Sequence, residues 1–241
     1  MGNILVKNIG MLATPQGKAA KKGAEQGQIQ ILKDAWVLVK DGVIDSVGTG
    51  AAPAAPGAEV IDAQGNLVTP GLVDAHTHLI FGGWRQNELG MKLHGKTYLE
   101  IQNAGGGIQS TTNATRKATE QELAEKATKA LNEMMGFGVT TVEAKSGYGL
   151  ATDHELKALQ VIKDLNDHHP MDVVATFMGA HLVPAEYKSN RAEYIRLVCE
   201  EMMPKVKEQG IAKFCDVFCE ADTFSVEESR QVLEAGLKYG L

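Results

Sequence analysis

The sequence predicts an α/β protein in which a small all-β module precedes half of a parallel (β/α)8 barrel. Three observations predict it. From residue 67 to residue 241, apolar strand-like runs alternate with segments of helical period, the order that builds right-handed βαβ units on a parallel sheet. Each of those runs ends in polar residues able to do chemistry, as strands do at the mouth of a barrel. Residues 1–66, by contrast, read as short strands joined by tight turns.

In the N-terminal module, Ala35–Lys40 and Val43–Val47 flank Asp41-Gly42, a two-residue hairpin signal. Thr14–Gln28 is polar and rich in Gly, Lys and Gln, so a mobile loop is expected there. Residues 51–57 form a low-complexity connector, and a further strand pair is expected to bracket Gln64-Gly65-Asn66. Leu67–Ile80 then reads as a buried strand, broken by Thr69-Pro70-Gly71 and ending in His76-Thr77-His78. Side chains alternate along a strand, so the two histidines share a face, and a pair of neutral imidazoles suits zinc or iron. The plain alternative is two histidines without a metal.

Beyond Phe81-Gly82-Gly83 the first strong helical period covers Glu120–Met135, with Thr119 and Glu122 as a capping box. A strand follows at Val139–Ala144, a helix over about 153–166, and a strand at Val173–Met178. A helix over about 190–209, a strand at Ala212–Phe218 and a helix at Ser225–Tyr239, capped by Ser225 and Glu228, complete the order. Gly105–Ile108 resembles a phosphate cradle, but no Lys-Ser/Thr follows it, so a flexible loop over the mouth is expected instead. Four parallel strands are half a barrel, and a fifth would be expected where the chain reaches Gly240-Leu241. A piece of a longer gene product is the reading this supports.

Composition narrows the function. With 44% apolar and 22% charged residues the chain is of ordinary globular make-up. A net charge of −6 argues against a nucleic-acid partner. No apolar run reaches the roughly 18 residues of a membrane span. Three cysteines make no disulfide framework, which together with an N-terminus unlike a secretory signal points to the cytoplasm. Cys215 and Cys219 are spaced to share a strand face, where buried apolar thiols are favoured over a zinc pair.

The strand ends supply the candidate site. The first gives His76 and His78 with Arg85 beyond; the second gives Lys145 through Leu150; the third gives Gly179 through Pro184; the fourth gives Cys219-Glu220-Ala221-Asp222. Arg85 reads either as a solvated charge or as a fork for a substrate carboxylate. Tyr148 reads as a turn aromatic or a hydroxyl for substrate, and His181 as a core histidine or a site residue. Lys145 suits a salt bridge better than a carbamylated metal bridge, and Asp74 suits a supporting role better than ligation.

Taken together, the segments Gly71–Arg85, Gly105–Thr112, Gly138–Leu150, Thr176–Tyr187 and Asp216–Glu220 resemble the amidohydrolase superfamily. Its members carry Pro-Gly-x-Val-Asp-x-His-x-His on the first barrel strand. Within it, the chain resembles the branch that opens the ring of 4-imidazolone-5-propanoate to N-formimino-L-glutamate in histidine degradation. The resemblance implies a metal-dependent hydrolase barrel, residues 67–241, behind a β-sandwich portion, residues 1–66. It implies His76 and His78 as ligands of one divalent metal, zinc or iron, and Arg85, Tyr148 and His181 as substrate contacts. It assigns no catalytic acid or base within the chain, since the expected glutamate and the remaining ligands would lie beyond Leu241, so the chain alone is expected not to turn over substrate. It also implies homodimers. A purine- or pyrimidine-type deaminase, another cyclic-amide hydrolase and a non-catalytic half-barrel remain open alternatives.

Overall fold

The structure is a computed structural model and describes residues 2–17, 19–97, 100–101, 104–221 and 223–241. The chain divides into two compact units, Met1–Gly71 and Leu72–Leu241.

The first unit is one five-stranded mixed sheet. Its strands are β1 (Ile4–Pro15), β2 (Ile29–Lys40), β3 (Val43–Thr49), β4 (Glu59–Asp62) and β5 (Leu67–Val68). The order runs β3-β2-β1-β4, with β5 also paired to β1. The hairpin at Asp41-Gly42 forms as expected. Both residues take positive φ, 51° and 82°, the combination a type I′ turn needs and that Asp-Gly supplies at little cost. The pair around Gln64-Gly65-Asn66 differs from a hairpin: β4 and β5 each lie parallel to β1, one after the other. Leu67–Val68 therefore pairs within the first unit, and the expected continuous strand Leu67–Ile80 is two strands. Part of the expected loop at Thr14–Gln28 is ordered too, as the end of β1 and a 3-10 turn at Gly23–Gly27. Ile9, Leu12, Ala35 and Val37 form the buried apolar cluster of this unit.

The second unit holds four parallel strands in the order β6-β7-β8-β9. They are β6 (Leu72–Thr77), β7 (Val139–Lys145), β8 (Asp172–Ala180) and β9 (Phe214–Val217). Helices α1 (Asn87–Leu93), α2 (Gly107–Lys117) and α3 (Glu120–Gly136) lie between β6 and β7, and α4 (Thr152–His168) between β7 and β8. Next come α5 (Arg191–Leu197), a π-turn (Val198–Met202) and α6 (Met203–Gln209), then α7 (Val226–Tyr239) after β9. The single helix expected over about 190–209 is thus interrupted by one π-turn, a common local adjustment inside helices. Leu123 and Leu131 of α3, Leu159 and Ile162 of α4, and Phe177 of β8 are each no more than 1% exposed, and they anchor one continuous core.

β6 is not buried. It lies at the sheet edge, with Leu72 53% and Val73 66% exposed, because β7 covers only one of its sides. Gly107 and Ile108 open α2 where a loop was expected. Helix propensity there is poor, and the helix is held by burial of Thr111, Thr112 and Thr115. Thr115 donates to Thr111 O (2.8 Å) and accepts the backbone N–H of Gly82 (2.9 Å).

Both predicted capping boxes are present, at Thr119/Glu122 and Ser225/Glu228. Thr119→Ala is expected to cost about 1 kcal/mol, since it strips the acceptor from the Glu122 N–H. Chemical denaturation reads this, and a loss near zero would show the cap to be energetically idle.

Candidate active site at the strand ends

Parallel pairing brings the C-terminal ends of β6, β7 and β8 side by side, and the residues just past those ends form one aromatic and imidazole cluster. His76 is the next-to-last residue of β6 and His78 follows the strand, their ring centroids 5.9 Å apart. His78 stacks on His181 at 4.4 Å and meets Tyr148 at 5.4 Å. Tyr148 and His181 are 5.0 Å apart. β9 adds Phe218, 5.8 Å from His181. Four of the five residues singled out from sequence therefore gather in one place.

Several contacts fix these side chains. Thr77, facing away from the histidines, donates to Glu143 O (2.6 Å) and ties the end of β6 to β7. Asp74 accepts the His76 backbone N–H (3.3 Å), the supporting role expected of it. Tyr194 is fully buried and donates to Gly179 O (2.7 Å), two residues before His181. His181 Nδ1 lies 2.9 Å from Gly147 O, and a carbonyl can only accept, so Nδ1 carries the proton. Gly147 has φ 104°, and a Cβ there would meet Met178 O at 2.7 Å, so only glycine fits.

Burial favours the neutral form of His78 and of His181. Burial, with His181 and His76 nearby, lowers His78 to about 4. Burial also lowers His181, against the hydrogen bond from its ring to Gly147. A neutral ring is the form that ligates metal. The Nδ1 atom of His78 is buried with no hydrogen-bond partner among the described residues, which fits a metal-facing donor and is costly otherwise. Among the described residues no three His, Cys, Asp or Glu side chains converge on one ion position.

Lys145 is 4% exposed and bridges Glu143 and Asp216, each at 2.8 Å. Burial opposes its charge, but hydrogen bonds to Asp216 and Glu143 outweigh that and raise its pKa. The salt-bridge reading of Lys145 fits this geometry. Arg85 is forked onto Glu88, Nε to Oε1 and Nη2 to Oε2, both 2.8 Å. Glu88 Oε1 also accepts the Gly107 N–H (2.7 Å), so Glu88 fastens Arg85 to the start of α2. Lys126 packs its ammonium over Phe81 (3.3 Å to centroid) and Trp84 (3.8 Å) and donates to Gly83 O, closing the loop between His78 and Arg85.

Sequence reasoning missed Glu88, Arg116, Lys126 and Glu155. Nothing local marks them: each lies on or beside a helix, where a charged residue reads as a solvated face. At the end of β9, Cys215 is partly buried, its thiol pushed up to about 12 by burial, whereas Cys219 is exposed and not the buried thiol expected. Glu220 accepts its neighbour's Ala221 N–H, and Asp222 lies outside the described residues.

The Arg85 hydrogen bonds hold the Glu88 carboxyl below its ordinary 4.5. A depressed carboxyl stabilises the fold fully above that value and stops doing so as pH falls through its native pKa. The stability advantage of the wild type over Glu88→Gln is therefore expected to be constant near pH 6 and to shrink below about pH 4.5. Thermal unfolding against pH reads it, and a pH-independent gap would contradict the pairing.

A sequence model described as the amidohydrolase family matches residues 59–97. Imidazolonepropionase of Alkaliphilus metalliredigens (strain QYMF) is 48% identical over 246 aligned residues, covering 100% of this chain and 58% of its own length. That of Brevibacillus brevis (strain 47 / JCM 6285 / NBRC 100599) is 49% identical, covering 99% and 58%. Among solved structures, guanine deaminase of C. acetobutylicum superposes with TM-score 0.59 at 19% identity, over 100% of this chain and 52% of its own. The Arthobacter aurescens triazine hydrolase does so with TM-score 0.62 at 16% identity, over 99% and 51%. In fold, then, the second unit resembles part of the solved structures just named, and in sequence the whole chain is similar to imidazolonepropionases, spanning about 58% of their length.

Proposed function

We propose that the chain carries the metal-binding pair and the substrate-gripping side of a hydrolase that opens the cyclic amide of 4-imidazolone-5-propanoate, giving N-formimino-L-glutamate. The observation that carries it is the convergence of His76, His78, Tyr148 and His181 past three adjacent strand ends. The level of identity to imidazolonepropionases along the entire chain supports it.

His76 and His78 would hold one divalent ion, zinc or iron. Such an ion, when bound, polarises a carbonyl and lowers the pKa of water toward neutrality. The chain's own residues do the rest of what is assigned here. Arg85, kept in a fixed plane by Glu88, offers its guanidinium to the propanoate carboxylate. Tyr148 and His181 flank the ring, with the His181 Nε2 lone pair as an acceptor for a ring N–H, since Nδ1 is committed to Gly147 O. The reading assigns no acid/base group among the residues of this chain, which spans about 58% of the length of those relatives. No helix of the described residues is long and apolar enough to cross a membrane. The reading makes the substrate a small cytoplasmic metabolite.

A chimera tests it: this chain joined to the remaining portion of the A. metalliredigens relative, given zinc or iron and offered 4-imidazolone-5-propanoate, guanine and cytosine. Formation of N-formimino-L-glutamate alone is expected. Deamination of either base without ring opening would replace this reading with the aminohydrolase one.

A further inference from the structure

Glu155 is 1% exposed and stands at the start of α4. Its carboxylate collects three backbone N–H groups from one short loop: Gly147 at 2.9 Å on Oε2, and Gly149 at 2.8 Å and Leu150 at 2.7 Å on Oε1. Arg116, from α2, holds the same loop by its carbonyls. Nε donates to Gly149 O (2.7 Å) and Nη2 to Leu150 O (3.1 Å), with Glu186 pairing to Nη2 at 2.7 Å. An anion gathering donors and a cation gathering acceptors thus grip four consecutive residues, and Tyr148 is the side chain they carry.

The loop needs that grip. Leu150 is fully buried with φ 51°, a left-handed conformation that strains a residue with a β-carbon and persists only when its surroundings over-determine it. The same loop sets His181, because Gly147 O accepts the Nδ1–H. Two site residues from different strand ends therefore take their geometry from one peptide segment, and Glu155 with Arg116 decides where that segment lies.

We infer that Glu155 is a positioning residue, paired with Arg116, that fixes Tyr148 and the His181 tautomer in the arrangement that grips the substrate ring. The substrate half of this statement rests on the function proposed above; the positioning half does not. Glutamine at 155 keeps the shape but turns one acceptor into a donor facing backbone N–H groups, so the loop must move.

The test uses the full 241-residue chain with Glu155→Gln and, at a more exposed position, Arg116→Gln. Long-range 1H–15N spectra report the tautomer of His181. Calorimetry reports the affinity for 3-(imidazol-4-yl)propanoate, a stable five-membered-ring carboxylate. The wild type is expected to show one Nδ1–H tautomer. Glu155→Gln is expected to mix the two tautomers and weaken the probe roughly tenfold, the loss of one charge-assisted contact. Arg116→Gln should shift both readings in the same direction by less, and it decides the matter if Glu155→Gln does not fold. A folded variant with unchanged His181 signals and unchanged affinity, only melting earlier, would overturn the proposal and leave Glu155 a structural residue. If the wild type ignores the probe while Glu155→Gln still alters the His181 signals, the positioning role stands and the substrate assignment falls.

Discussion

Lys145→Met is expected to destabilise the protein by about 3 kcal/mol, the low end of what removing one partner of a buried ion pair costs. The low end applies because Asp216 keeps a side chain 37% exposed and can recover some water, whereas Glu143, at 18%, cannot. Losing the ammonium leaves two carboxylates facing each other across the end of the sheet. Among the described residues, the Glu143 carboxylate would retain the Thr176 hydroxyl (2.6 Å) as its side-chain donor. Urea denaturation measures the loss. Adding Glu143→Gln and Asp216→Asn to the methionine variant should restore much of it, since the uncompensated charge, not the missing contact, is the dominant cost. A loss well under 1 kcal/mol would mean that solvent screens the triad.

The second large effect concerns the metal that the proposed function assigns to His76 and His78. His78→Ala is expected to weaken zinc binding on the order of a hundredfold, a loss of roughly one ligand's share of a zinc site's free energy. His78 is the better probe of the pair because its Nδ1 is buried with no hydrogen-bond partner among the described residues, and burial favours its neutral ring. His94→Gln serves as control, since that imidazole, just past the end of α1, turns back onto Gly90 O (2.6 Å). Equilibrium dialysis with zinc reads both, and equal affinity in the two variants would remove His78 from the site.

Where local chemistry decides the structure, the sequence was legible. Thr119 and Glu122, or Ser225 and Glu228, satisfy each other within four residues, so their helix starts can be read from the pattern. Asp41-Gly42 likewise needs nothing beyond its own φ angles. The histidine pair could be read because a strand's alternation is local. What was not legible depends on partners far away in the chain. α2 is a poor helix by composition, and its threonines earn their place only against Gly82 and the core. β6 reads as a buried strand because its residues are apolar, yet burial depends on whether a neighbour lies on both sides. Glu88, Arg116 and Glu155 look like ordinary helix charges, and only the folded chain sets them against Arg85 and the Tyr148 loop.

The most direct test of the central claim, that these strand ends hold a ligand joining a carboxylate to a five-membered nitrogen ring, is a calorimetric comparison in the presence of zinc. 3-(Imidazol-4-yl)propanoate and 4-ethylimidazole would each be titrated into the wild type and into Arg85→Ala. The account predicts that the wild type prefers the carboxylate at least about tenfold, and that Arg85→Ala loses the preference by weakening only the carboxylate ligand. Equal binding of the two ligands by the wild type, or a preference that survives in Arg85→Ala, would contradict it.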